Sequence, residues 1–463
     1  MVVTDRYPPF TSGGAELSLH ITLCEIARSR RVTVIVLGAE QESAREKIRD
    51  GMSVIYLPRS GPWPFHRWTR AKFNRIEAGP DLARNVAFVA GCFGFLFGGS
   101  LNGLAHRASA LAIWLLNGTK LVAATDLLAA PNHMGIELAA LIGRLKPRLI
   151  HADNHDAICA VAGRQDIPVV GFVRDNRFLC ARQDQSATIG EKTCQHCTVA
   201  CIEGGSVSAR FNRMLIRQTV AHRRNCLGSM TRVVAASGYL TRQLANIVPA
   251  DLVRQVVNPV DPPSFPQAVS DRTDGQVHIA VIGSLTEKKG QLALLRHFPE
   301  MQARIPDLHL HFIGSGPDKA ALAAIVEAQR AASNVTLHGN LSRQALYGML
   351  ASCQIVAIPS LWAEPFGRVA IEAAAMALPA VAFAVGGLKE RIRPGVTGLL
   401  VPPAGFTQFI DALALLAAKP ELRKKLGAAA REAVMELHAP AAVAGQLVRV
   451  WDEAMAAFAA GRS

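Results

Sequence analysis

The chain has 463 residues, half of them hydrophobic and 19% charged, which is enough for two domains and excludes a disordered chain. The formal net charge of +14 favours acidic partners, namely nucleotide phosphates, lipid phosphates or an anionic membrane. Nine cysteines in so long a chain are not a disulfide framework, and no zinc-finger, helix–turn–helix or RNP-like pattern points to nucleic acid.

In chain order, Met1–Thr4 reads as a short strand. The loop DRYPPFTSGGAE follows, with Gly13 and Gly14 just before a helical pattern over Ala15–Arg30. Glycines at a strand-to-helix turn let backbone N–H groups approach a phosphate, though a Gly-Gly pair is more often only a turn. No signal-peptide pattern is visible, so a cytoplasmic location is the expectation. Val32–Leu37 and Val54–Leu57 read as the next strands. In Gly61–Arg75, Trp63, Phe65, Trp68 and Phe73 interleave with Arg67, Arg70, Lys72 and Arg75, a mixture suited to an anionic membrane interface. The bland alternative is that the tryptophans pack into a core. Val86–Leu101 is apolar but glycine-containing and shorter than the roughly 20 residues a membrane-crossing helix needs, so a buried or interfacial helix is expected.

Leu141–Asn154 reads as a helix end, a proline and a strand; Val169–Asp175 is the next strand and Val233–Ser237 the last before a hinge. Cys180, Cys194, Cys197 and Cys201 can supply four thiolates to a structural zinc, or they can be reduced thiols packing a loop. Pro262–Asp274 is linker-like. Beyond it, strands at Val277–Ile282, Leu308–Ile313, Val335–Leu337, Ile355–Ile358 and Ala380–Val385 alternate with helical runs, the pattern of a parallel sheet with helices on both faces. Glycines follow these strands, among them Gly283, Gly314, Gly316, Gly339, Gly386 and Gly387, and would line the ligand edge of the sheet.

The most informative stretch is Ala357–Gly387. Glu364 sits in a loop and Glu372 eight residues on, in an otherwise apolar helical run. Burying two carboxylates there is costly without partners. A carboxylate suits a vicinal diol such as a ribose. Backbone N–H groups at the helix start, near Phe366, Gly367 and Arg368, suit a phosphate. Diol and phosphate together describe a nucleotide-sugar. Taken by spacing alone, the two acids could equally be surface residues.

The string PS-x3-EPFGRVAIEA, followed by GG-x2-E at Gly386–Glu390 and GLLVPP at Gly398–Pro403, strongly resembles the donor site of retaining glycosyltransferases of the two-lobed GT-B fold, the "group 1" family. The resemblance implies two Rossmann-like lobes. Residues 1–257 would form an acceptor-side lobe with an insert at 61–131 and a cysteine-containing loop at 176–206. Residues 258–440 would form the donor lobe, and 441–463 a helix returning to the first lobe. Asn258–Asp261 resembles the family's hinge. GSLTEKKGQ resembles the family's phosphate loop, with Lys289 in the lysine position and Ser284 where the family has arginine. Lys289, Gly13 and Gly14 would then hold the diphosphate with help from Arg368, Glu372 would hold the ribose and Glu364 would face the sugar. Gly283, Ser284, Gly314, Phe366, Gly367 and Arg174 would complete the donor site, and Glu364, Lys289 and Asp175 would carry catalysis. The family usually ends the Val169–Asp175 strand in His-Asp, the His contacting the donor sugar; here the pair is Arg174-Asp175, and arginine cannot act as a base near neutral pH.

The implied reaction moves a sugar from a UDP-, GDP- or ADP-linked donor to a carbohydrate or lipid-linked acceptor with retention. No Asp-x-Asp motif is present, so no catalytic metal or other cofactor is expected. Alternatives are a catalytically degenerate binding subunit, favoured by Ser284 and Arg174, and a nucleotide-sugar epimerase, which shares the fold.

Overall fold

The computed structural model describes residues 1–8, 14–39, 45–58, 132–180, 217, 220–261 and 275–461. Gly13, the segment Gly61–Arg75, the run Val86–Leu101, Cys194, Cys197, Cys201 and the linker Pro262–Asp274 lie outside the described residues.

Two α/β lobes emerge. In the first, strands β1 (Val2–Thr4), β2 (Thr33–Ala39), β3 (Arg45–Arg49), β4 (Met52–Pro58), β5 (Ile150–Asp153), β6 (Val169–Val173), β7 (Arg232–Ala235) and β8 (Val253–Gln255) lie in the order β3-β4-β2-β1-β5-β6-β7-β8. All pairings are parallel except β3 with β4. The second lobe is a parallel sheet of β9 (Val277–Ile282), β10 (Leu308–Ile313), β11 (Val335–Gly339), β12 (Ile355–Ile358), β13 (Ala380–Phe383) and β14 (Gly398–Val401), ordered β11-β10-β9-β12-β13-β14. Central strands such as β12 are buried along their whole length, which is why they read as unbroken apolar runs. Three strands were not foreseen. β3, REKIR, is a charged antiparallel edge ribbon; β8 is three residues long; and β14 lies inside a stretch recognised only as a motif.

The strands β9, β12 and β13 occupy the middle of the second sheet, and the order reverses between β9 and β12, the place where open α/β sheets carry ligands. The lobes share apolar packing. Phe366, Ile371, Ala374 and Ala375 of the second lobe belong to the same buried cluster as Leu19, Val173, Ala236 and Tyr239 of the first. Helix Pro440–Ala460 buries Val443, Leu447, Val450 and Trp451 in that cluster, against helix Gly14–Ala27. The Trp451 indole N–H donates to His151 Nδ1 on β5 (3.2 Å). Among the described residues no helix is long and apolar enough to cross a membrane.

Candidate functional site

The loops leaving β9, β10, β12 and β13 converge by close backbone packing. Gly290, at φ 73°, closes the turn Glu287–Lys289, and a Cβ there would overlap the Pro359 carbonyl. Leu361 N–H donates to the Lys288 carbonyl (2.9 Å), so the loops after β9 and β12 are zipped together. Gly314, at φ 142°, leaves no room for a Cβ against the Gly283 carbonyl. This packing presents Lys289 to Glu364. Lys289 Nζ donates to Glu364 Oε1 at 2.5 Å, and Ser360 Oγ donates to the same oxygen at 2.7 Å. Burial alone would raise the Glu364 pKa, but the Lys289 charge and these hydrogen bonds outweigh it and hold the carboxyl below its usual range. The Glu364 backbone is cradled as well: Gly387 N–H donates to its carbonyl (2.6 Å), and a side chain at Gly386 would collide with it. Lys288 lies 4.2 Å from the Trp362 ring centroid, a cation–π contact between the same two loops.

Gly367 adopts φ 90° at the start of helix Arg368–Ala375, whose Ala, Val and Ile residues pack inward. Arg368 and Glu372 fall one turn apart, and Arg368 Nε donates to Glu372 Oε1 at 2.8 Å. Arg368 also reaches the first lobe: Nη1 donates to Ser18 Oγ (2.6 Å) and lies 3.4 Å from the Gly14 carbonyl and 3.5 Å from that of Pro259. Gly14 is where the Arg368 side chain passes, and a Cβ there would strike it. Arg368 Nη2 has no hydrogen-bond partner among the described residues. Phe366 is buried between the lobes under the Arg391 guanidinium, 4.8 Å from its ring centroid. Ser284 serves the loop through its backbone, its carbonyl accepting from Gln291 Nε2 (3.1 Å).

The site residues read from the sequence thus divide. Lys289 and Glu364 meet directly, and Arg368 joins Glu372 to Gly14's helix. Arg174, expected at the donor sugar, lies between β6 and the hinge residue Asn258. It is buried, forks onto both Asp153 oxygens (2.7–2.9 Å), and donates from Nη1 to Asn258 Oδ1 (2.5 Å), so its donors are committed inside the hinge. Asp175 caps the turn Asn176–Phe178 by accepting from Arg177 N–H (2.9 Å) and pairs with Arg177. Cys180 is buried at the end of that loop.

Several residues were missed. Asn176 is fully buried and donates to the Ala363 carbonyl (3.2 Å), linking the first lobe to the residue before Glu364. Ser237 Oγ donates to the Pro365 carbonyl (2.5 Å), and Glu390 accepts from Gly238 N–H (2.8 Å). In the first lobe, Asp5 lies after β1 and Glu16 in the first turn of helix Gly14–Ala27, and burial raises both carboxyls above their usual range. Only proximity to the Gly13-Gly14 loop could have signalled the two acids; the hinge contacts have no sequence signature.

Residues 267–433 match the family model "Glycosyl transferases group 1". The match takes in all six strands of the second lobe. The D-inositol 3-phosphate glycosyltransferase of Kribbella flavida is 34% identical over 187 residues, 38% of this chain and 44% of that protein. The alpha-D-kanosaminyltransferase of Streptomyces kanamyceticus is 27% identical over 180 residues, 39% and 46% of the two chains. The chain thus spans less than half the length of these relatives. Among solved structures, sucrose-phosphate synthase from Thermosynechococcus elongatus superposes with a TM-score of 0.65 at 18% identity, covering 98% of this chain and 99% of that one. Anabaena HepE in complex with UDP gives 0.64 at 15% identity, covering 98% and 100%. These two likenesses establish the two-lobed GT-B fold.

Proposed function

We propose that the chain is a retaining glycosyltransferase that takes its sugar from a nucleoside diphosphate. The observation that carries this reading is the Lys289–Glu364 pair at the sheet switch point of a group 1 lobe. A lysine held there can leave its carboxylate for a diphosphate and neutralise the charge that grows as the glycosidic bond breaks. Glu364, kept ionised, can then accept from sugar hydroxyls. Glu372 shares one oxygen with Arg368 and offers the other to a ribose diol. Arg368 Nη2 is a donor with capacity for a phosphate oxygen. In the transfer itself, the acceptor oxygen bonds to the anomeric carbon on the face from which the phosphate departs. The leaving phosphate takes the acceptor proton, so no protein base is required.

The curated relatives carry glycosyltransferase names, and HepE was solved with UDP, which supports a nucleotide-sugar donor. The reading extends to glycan, polysaccharide or glycolipid assembly, with a carbohydrate or lipid-linked acceptor approaching the first lobe near Asp5 and Glu16. It further takes Gly61–Arg75 to dock on an anionic membrane, at about 1 kcal/mol per basic residue near the surface.

A thermal-shift panel of UDP, GDP, ADP and their sugars tests the donor, because a bound ligand raises the melting temperature by mass action. One nucleotide should stabilise the protein, and its sugar conjugate should be slowly hydrolysed without acceptor. Stabilisation without sugar release or transfer would instead mark a binding subunit, and release of an epimerised nucleotide-sugar would mark an epimerase. Flotation with anionic vesicles at low salt tests the membrane contact; protein left at the bottom of the gradient rules it out.

A further inference from the structure

A second convergence of reactive side chains lies in the first lobe, outside the donor site. Cys159 is on helix His155–Val161, directly after β5. His222 and Cys226 are one turn apart on the helix at 220–228. The two sulfurs and an imidazole nitrogen all lie within 4.8 Å of one another, and Cys226 Sγ is 3.5 Å from His222 Nε2. For a tetrahedral zinc ion, Zn–S and Zn–N bonds of about 2.3 and 2.0–2.1 Å place sulfur and nitrogen roughly 3.6 Å apart. The observed spacing therefore already matches one edge of such a site. Cys226 is buried, Cys159 half-buried and His222 exposed, so the donors open towards solvent on the histidine side.

We propose that Cys159, His222 and Cys226 form a site for a soft divalent cation of the zinc class, with water completing the tetrahedron. Two thiolates and an imidazole select such an ion over magnesium or calcium. Two thiolates would also neutralise its charge. On binding, the cation displaces the thiol protons to solvent.

The ion would brace the donor cleft. The same helix at 220–228 holds the turn below it, Arg223 Nη1 donating to the Arg177 carbonyl (3.1 Å) and Arg224 Nε to that of Phe178 (3.2 Å). That turn begins with Asn176, which reaches the residue before Glu364. A cation joining the helices at 155–161 and 220–228 therefore fixes the first-lobe side of the cleft and takes no part in sugar transfer.

The test is cobalt(II) titration of the full-length, reduced, metal-stripped protein, read by thiolate-to-cobalt absorption and confirmed by zinc content. Cobalt should bind with the spectrum of a tetrahedral thiolate site. Cys226→Ser should abolish it. His222→Ala, at an exposed position where folding is safe, should weaken binding by at least the roughly 10–100-fold that loss of a supporting contact alone brings. His222→Cys should restore the band, and Cys194→Ser with Cys197→Ser should leave it in place. A band that survives both Cys226→Ser and His222→Ala belongs to the other cysteines and overturns the proposal. So does reduced protein that binds no cobalt, or a Cys159–Cys226 disulfide formed in protein prepared with zinc.

Discussion

Two buried ion pairs, one in each lobe, use the same chemistry for opposite ends. Asp153 and Arg174 in the first lobe have side chains only 1% and 3% exposed. Both Asp153 oxygens are occupied by the guanidinium, and Arg174 continues to Asn258. The Asn258 carbonyl is hydrogen-bonded to His438 (2.7 Å), His438 to Arg391 (3.0 Å), and Arg391 to Glu390, which clasps Gly238 and Arg242. The chain of contacts therefore runs from β5 through the hinge into the second lobe and back. Lys289 and Glu364 are more open, at 19% and 9% exposure, and the ammonium has donors to spare. A sealed pair is a strut, since removing either partner strands a charge without water. A pair at the rim of a cleft can exchange one partner for a ligand. On the proposed function, sealing more than residue type separates a structural pair from a ligand-binding one.

If that distinction holds, the largest effect on stability should come from the sealed pair. Arg174→Ala leaves Asp153 uncompensated and should cost about 3–5 kcal/mol in chemical denaturation. Arg174→Lys should recover little, because an ammonium cannot fork onto two oxygens. Next comes pH. Burial lowers the His438 pKa to about 4 from an ordinary value near 6.5. Between these values the unfolded chain binds a proton that the folded chain does not. Stability is thus intact above about pH 6.5 and should fall by roughly 3 kcal/mol as pH drops to 4, an acid limb that His438→Gln should flatten.

At the open pair the effect should move from stability to rate. Lys289→Ala should lower turnover about 100-fold through lost leaving-group stabilisation. A steady-state rate within a factor of two of wild type would make Lys289 a strut like Arg174. Glu372→Gln should weaken donor binding by about 1 kcal/mol in calorimetry, since one of its acceptors becomes a donor. The smallest change belongs to Arg242→Ala. Its side chain is 67% exposed, and loss of the Glu390 contact should shift stability by at most about 1 kcal/mol.

The sequence by itself determined the second lobe. Its central strands are largely buried, β12 and β13 along their whole length, so they stand out as apolar runs, and the residues around Glu364 are local enough to form one recognisable string. Lys289 and Glu364 were legible because each carried its own motif. The first lobe was less so. β3 has no apolar run, since an edge strand shows one face to water, and β8 is too short for any period. Only the tertiary structure decided what the isolated polar residues do. Arg174 looked like a ligand contact in a list of residues, and became a strut once Asp153, 21 positions earlier, and Asn258, 84 positions later, closed around it. Cys159, His222 and Cys226 have no common spacing to read, because parallel strands paired across long crossovers bring their two helices together. Burial and partner choice are properties of the packed interior, and a linear pattern records them only where partners are neighbours in the chain.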